Sequence, residues 1–97
     1  MEKGFLQGVN EDIKYKGIVF HIQTEDMGKE TALMVSTIFY KGRVVIRDEI
    51  DYSNMLSEEV TKEKLGNIMK ELHKKMRTEL LKGCYDQRIK VILPTKE

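Results

Sequence analysis

The 97-residue sequence contains one cysteine, one proline and no tryptophan, and it lacks any apolar run long enough to cross a membrane. The single cysteine, Cys84, excludes a disulfide within the chain, which makes a reducing cytoplasm the expected compartment. A membrane span needs about 18 apolar residues, and no apolar signal-peptide segment follows the first methionine. We therefore expect a soluble, cytoplasmic protein that has no membrane partner.

Neither sign of charge is in excess. Seventeen Lys and Arg residues are balanced by sixteen Asp and Glu residues, which leaves a formal net charge of +1. Domains that bind nucleic acid usually carry a concentrated basic surface, so this balance predicts no nucleic-acid partner. The charged fraction is 34% and the hydrophobic fraction is 40%, as expected for a small domain with one modest core. We predict a single domain over residues 1–97.

Two stretches begin with the same three letters: YKGIVFHIQTED at residue 15 and YKGRVVIRDEID at residue 40. Gly17 and Gly42 each follow a lysine between two runs of β-branched and aromatic residues, which is typical of tight hairpin turns. The repeat therefore indicates one turn chemistry used twice, and not a duplicated functional motif. The predicted strands cover residues 12–15, 18–25, 32–40 and 43–52.

The pattern becomes helical after the fourth strand. We predict one long amphipathic helix over residues 57–82, begun by Ser57 and its two following acids and ended by Gly83. Thr61 is an equally good start, which would leave residues 57–60 as a separate turn. The apolar stripe lies within an arc of about 120° and contains Leu65, Ile68, Met69, Leu72, Met76 and Leu80.

The tail, residues 84–97, contains the apolar segment 89–93 followed by Pro94. It is predicted to be either a short fifth strand that the proline ends or an arm that packs on a neighbour. Cys84 is interpreted as a packed small residue. The predicted fold class is α+β: an antiparallel four-stranded meander packed against one C-terminal helix.

Side-chain alternation divides each strand between two faces. In the second strand, Ile18, Phe20 and Ile22 are predicted to meet the helix, and Val19, His21, Gln23 and Glu25 to point away. In the fourth strand, the inward set is predicted to be Val44, Ile46, Ile50 and Tyr52, with Asp48 as an exception, and the outward set Val45, Arg47, Glu49 and Asp51. The third strand carries large apolar groups on both faces and stays undecided.

The size of the helix predicts a second copy of the chain. One helix is about 10 Å wide, whereas four strands span roughly 15–20 Å. A helix of about 25 residues would also extend about 37 Å, beyond a strand of about 27 Å. Either the helix overhangs the sheet, or it breaks, or a second copy of the chain covers the surplus, and we predict a homodimer.

The outward-facing polar row is the predicted partner-binding surface. Its members are His21, Gln23, Glu25, Arg47 and Glu49. A flat row of this kind suits a protein partner, and the chain has no phosphate-binding glycine loop and no insertion that would form a pocket. We therefore predict a non-enzymatic interaction or regulatory module, with no catalytic residue and no cofactor.

A metal or small-ligand site centred on His21 and Glu25, with His73 as a third ligand, is the alternative, because imidazole and carboxylate together suit zinc or iron. Strand alternation opposes it, since it places His21 and His73 on opposite sides of the sheet. Asp26 and Thr24 are interpreted as local turn chemistry.

The helix also carries a basic stripe of Lys70, Lys74 and Arg77. Such a stripe is most often a solvated face, and RNA, an acidic lipid and an acidic partner are the alternative interpretations.

The segment Phe20–Asp26, FHIQTED, resembles the core of a small bacterial domain family with a Phe-His-x-Gln-Thr-Glu-Asp motif. The resemblance covers roughly residues 9–86 and includes the later His73-Lys74 step and the ending from Leu80 to Gly83. Leu72 stands where that family has Gln, which weakens the case for a shared polar cluster. The resemblance implies a bacterial cytoplasmic protein and no particular activity.

Overall fold

A computed structural model describes residues 6–57 and 61–93 of the chain. Its elements, in chain order, are β1 (Val9–Tyr15), β2 (Ile18–Asp26), β3 (Leu33–Tyr40), β4 (Arg43–Asp51), a 3-10 turn (Ser53–Ser57), α1 (Lys62–Leu81) and α2 (Asp86–Ile92). The four strands form one antiparallel sheet in the order β1-β2-β3-β4. The predicted α+β fold with a four-stranded meander and a long helix is confirmed. Within the described residues, no helix combines the length and the apolar character that a membrane span requires.

The two Tyr-Lys-Gly stretches form the same hairpin turn. Lys16 and Gly17 have φ angles of 52° and 81°, and Lys41 and Gly42 have φ angles of 47° and 81°. Two consecutive positive φ angles define a type I′ turn, whose twist matches that of the flanking strands. The interpretation of the repeat as shared turn chemistry is therefore confirmed.

The turn geometry predicts opposite effects for one substitution at two glycines. Gly42→Ala is expected to cost about 1–2 kcal/mol, because alanine is strained at positive φ. Gly66→Ala, inside α1, is expected to stabilise the protein by up to about 1 kcal/mol, because alanine is the better helix former. A new Cβ meets no atom within 4 Å at either site, so packing does not confuse the comparison. Urea unfolding checks it, and a shift of the same sign in both variants would contradict it.

The fourth strand contains a β-bulge that the sequence pattern did not predict. The β3–β4 register pairs Ile38 with Ile46 but Phe39 with Val44, so Val45 is the extra residue. Val45 is therefore buried in the core at 3% exposure, whereas Val44 is 55% exposed on the other face. The prediction that Val44 points inward and Val45 outward is wrong, because one inserted residue reverses the alternation locally.

Helix α1 begins at Lys62, and its N-cap is Thr61, whose hydroxyl accepts a hydrogen bond from the Lys64 backbone N–H (3.1 Å). The later of the two predicted starts is therefore correct. The helix ends where Gly83 adopts a φ of 85°, as predicted for the residue after a helix. The predicted stripe faces the sheet: Ile68 is half-buried, and Leu65, Met69, Leu72, Met76 and Leu80 are buried.

The tail is neither a fifth strand nor an extended arm over residues 86–92, where it forms α2. Ile89 of this helix is buried in the core. The Tyr15 hydroxyl donates a hydrogen bond to the Asp86 carboxylate (2.7 Å), and the Arg43 guanidinium donates to the Ile92 carbonyl oxygen (3.3 Å). Cys84, which was predicted to be packed, is exposed.

Helices α1 and α2 together cover one face of the sheet. With 20 residues, α1 is about 30 Å long, which matches a nine-residue strand at about 30 Å. The predicted overhang therefore does not occur, and α2 packs on β4 where one helix would leave the sheet bare. The inner face does not need a second copy of the chain, so any need for a partner belongs to the other face.

Candidate functional site

The sheet face that points away from both helices is called the open face here. Cross-strand pairing sets its rows: Asp12, His21, Phe39 and Val44 form one, and Asn10, Gln23, Thr37 and Arg47 form the next. Glu25, Val35 and Glu49 form a third. The structure thus places all five predicted partner-binding residues on one face. No helix or strand of the described residues packs against that face.

His21 is held in place across two strands. Its Nδ1 donates a hydrogen bond to the Asp12 carboxylate (2.8 Å), and its Nε2 lies 3.1 Å from the Asn10 side-chain oxygen. On its other side, its ring centroid lies 6.3 Å from that of Phe39. Both ring nitrogens are therefore engaged, and the imidazole contributes a fixed surface feature.

The open face is apolar at one end and acidic at the other. At the hairpin end, the β2–β3 register begins only at His21 and Phe39, so the two hairpin tips diverge. A groove of about 510 Å³ lies between them, lined on the open face by Val19, His21 and Phe39. Val19 and Val44 are 54% and 55% exposed there. Glu25 and Glu49 flank Val35 at the other end, and the Gln23 amide donates to Glu25 (2.6 Å).

A chain of polar side chains lies buried under α1 on the opposite face. The hydroxyls of Thr24 and Ser36 share a hydrogen bond of 2.8 Å, and the Thr24 hydroxyl is bonded to His73 Nδ1 at 2.8 Å. His73 Nε2 donates to the Glu11 carboxylate (2.9 Å), which also lies 3.4 Å from Arg77 Nε. Because a carboxylate only accepts, the Nε2 atom carries a proton.

The buried chain contains the groups of a hydroxyl–imidazole–carboxylate relay, the arrangement that activates nucleophiles in many hydrolases. Here the hydroxyl residues Thr24 and Ser36 are 0% exposed, beneath α1. A substrate cannot reach them without removal of the helix. The arrangement instead fixes the position of α1 on the sheet, because every polar member has a partner in an apolar environment.

Sequence analysis assigned Thr24 to turn chemistry, and that assignment is wrong. Thr24 lies two and four residues after Ile22 and Phe20, so strand alternation places it on the same inner face. That spacing is the sequence feature that indicated its burial. The interpretation of Asp26 is confirmed, since its carboxylate accepts a hydrogen bond from the Gly28 backbone N–H (3.0 Å). Asp26 also accepts a bond of 2.6 Å from the buried Tyr52 hydroxyl.

The residues of the alternative metal site are not brought together. His21 lies on the open face and His73 on the helix-covered face, so the sheet separates the two imidazoles. Glu25 is four residues from His21, about 13 Å along the strand. In the part of the chain that the structure describes, no group of three or more His, Cys, Asp or Glu side chains has the spacing of a metal site.

Contacts within the fold shift the pKa values of several tyrosine and aspartate side chains. Burial, reinforced by the bond to Asp26, raises the pKa of Tyr52. The hydrogen bond between Tyr15 and Asp86 raises the pKa of the tyrosine and lowers the pKa of the carboxyl. Lys75 Nζ, 2.7 Å from the Asp48 carboxylate, lowers the pKa of Asp48. These contacts link α1, α2 and Tyr52 to the sheet, and none lies on the open face.

Comparison of the chain with protein-family models, with curated proteins and with solved structures finds no significant match.

Proposed function

We propose that the protein is a non-enzymatic interaction module that forms a homodimer through its open face. The observation that carries the proposal is the solvent exposure of Val19 and Val44 beside Phe39, on a sheet face that α1 and α2 do not cover. These apolar side chains border an open groove, and an exposed apolar patch of this kind favours a protein contact.

The area of the open face is sufficient for a weak dimer. Four strands about 4.8 Å apart and about eight residues long present roughly 500 Å² per copy. Two copies would bury about 1,000 Å², near the lower limit of a specific interface. Interfaces of this size are typical of weak or transient complexes, so we expect the dimer to dissociate on dilution.

One two-fold arrangement brings Arg47 near an acidic side chain of the second copy. An axis parallel to the strands and centred between β2 and β3 places β1 of one copy over β4 of the other. At matched heights Arg47 then lies over Asn10 of the second copy, one row from its Asp12. Glu25 falls over Val35, so the acidic side chains do not face each other directly. Aligned packing of this kind is common between two sheets.

The other parts of the proposal have independent support. The inaccessible hydroxyls of the buried polar chain and the open, shallow form of the hairpin groove favour a binding role over catalysis. The unpaired, exposed Cys84 favours a reducing cytoplasm. The FHIQTED motif supports a bacterial origin by resemblance, and it implies no activity.

Charge exchange between two positions tests the dimer. Asp12→Arg and Arg47→Asp, made separately, are each expected to weaken the dimer at least about tenfold, because like charges then lie one row apart across the interface. The combined Asp12→Arg, Arg47→Asp variant is expected to recover most of the affinity. Sedimentation equilibrium over a dilution series measures the three dissociation constants.

Val91→Asp is the matched control for Val19→Asp. Val91 is 82% exposed on α2, away from the open face, so its substitution should leave the dimer intact while Val19→Asp disrupts it. A wild-type chain that stays monomeric at millimolar concentration would overturn the homodimer. Equal weakening by the two aspartate variants would overturn the assignment to the open face.

A further inference from the structure

A second groove lies on the opposite side of the molecule, between α1 and the start of β1. Its volume is about 310 Å³, and it is called the basic groove here. It is lined by Val9, Lys70, His73, Lys74, Arg77 and Thr78. Lys70, Lys74 and Arg77 are spaced i, i+4 and i+7 along the helix, which places three cationic side chains along one face.

The cations of the basic groove are only partly neutralised. Glu11 is the acidic side chain that contacts this group, and it is shared between Arg77 Nε at 3.4 Å and His73 Nε2 at 2.9 Å. Lys70 and Lys74 form no hydrogen bond or ion pair with any residue in the ranges 6–57 and 61–93. The neighbouring Lys75, by contrast, is paired with Asp48 on the adjacent face of α1.

The donors of the groove suit a doubly charged anion. Two ammonium groups and the remaining N–H groups of a guanidinium supply several charge-assisted hydrogen bonds, and arginine matches the paired oxygens of a phosphate. His73 lines the groove but donates no hydrogen bond to a ligand, because its ring nitrogens are bonded to Thr24 and Glu11. Val9 and the aliphatic stems of the lysines offer an apolar surface to the rest of the ligand.

We infer that the basic groove binds a small organic phosphate. Its volume lies at the lower end of the roughly 300–1,000 Å³ of small-molecule sites, which is enough for one phosphorylated group. Among residues 6–57 and 61–93, no aromatic side chain lines the groove, so the described part of the chain offers no stacking platform for single-stranded nucleic acid. The site is independent of the open face, since α1 lies on the other side of the sheet.

Pyrophosphate is the probe for a free phosphate, and glycerol 3-phosphate is the probe for a phosphomonoester. Binding is followed by amide chemical shifts in NMR spectra at low ionic strength, with saturable shifts expected at residues 70–78. The Lys70→Gln, Lys74→Gln, Arg77→Gln triple variant should bind at least about tenfold more weakly. Glu11→Gln should bind about fivefold more tightly, because a nearby negative charge is removed while an acceptor for His73 remains.

The matched control removes the same number of charges elsewhere. Lys62→Gln, Lys82→Gln, Lys90→Gln changes three exposed lysines outside the groove and should bind like the wild type. Equal weakening in the two triple variants, or shifts that do not saturate, would overturn the site. Circular dichroism confirms that both variants are folded.

A third arm identifies the source of the phosphate group. Sedimentation with phosphatidylcholine vesicles that contain phosphatidic acid tests a lipid headgroup, and binding that needs Lys70, Lys74 and Arg77 would assign the groove to lipid. Saturable binding of the soluble probes without vesicle binding would assign it to a free organic phosphate. Failure of all three probes would reject the inference. It would leave the dimer proposal unaffected, because sedimentation equilibrium tests that proposal through the molecular mass in solution.

Discussion

Phe20→Ala is expected to destabilise the protein by about 3–5 kcal/mol, the largest loss we predict for any single substitution in this chain. The Phe20 side chain is 1% exposed, and its ring centroid lies 6.5 Å from that of Tyr15 and 6.0 Å from that of Tyr40. It lies in the main core, where both helices pack on the sheet. Small domains are stable by about 5–15 kcal/mol, so the variant would be close to unfolding.

Phe39→Ala is the matched control, since it removes the same side chain from the other face of the same sheet. Phe39 is half-buried on the open face, so the expected loss is about 1 kcal/mol. Urea unfolding of both variants at a concentration that keeps the chain monomeric gives the two free energies. Equal losses would contradict the assignment of the core to the helix-covered face.

Local chemistry accounts for the parts of the fold that were predicted correctly. Turns with positive φ angles need Gly17 and Gly42. The start of α1 needs a side-chain acceptor for its first free N–H groups, and Thr61 supplies it as the N-cap. Each of these signals acts within four residues, so a sequence contains it completely. The inward set of β2 was also correct, because no bulge interrupts the register of that strand.

The errors come from interactions that are distant along the chain. The bulge at Val45 depends on how β4 meets β3, and strand propensity does not contain that information. The segment that begins at Asp86 is rich in β-branched residues, yet it forms a helix because Ile89 fits against the sheet and Tyr15 anchors its first turn. Tertiary packing outweighs local preference in a segment as short as seven residues.

The candidate sites divide in the same way. Alternation alone placed His21, Gln23 and Glu25 together on one face, because a strand fixes the side on which each side chain lies. The buried polar chain joins Glu11 to His73 across 62 positions and Thr24 to His73 across 49. A contact between residues so far apart cannot be predicted from local spacing. The one sequence feature that indicated it is that alternation places Thr24 on the inner face of β2.

Thr24→Val is expected to cost about 1–3 kcal/mol although it keeps the shape of the side chain. The substitution leaves His73 Nδ1 and the Ser36 hydroxyl without the hydroxyl that lies 2.8 Å from each of them. Both groups are shielded from water by α1, so water cannot replace the lost bonds. The cost is that of an unpaired buried polar group, and not that of the lost bond alone.

A double-mutant cycle separates these two contributions. In the Thr24→Val, His73→Leu variant the imidazole is gone, so the combined loss should be smaller than the sum of the single losses by about 1 kcal/mol. Thr37→Val is the control. Thr37 is half-buried on the open face, so this substitution should change the free energy of unfolding by less than about 0.5 kcal/mol. If Thr24→Val proves as harmless as Thr37→Val in urea unfolding, the buried chain does not hold α1 on the sheet.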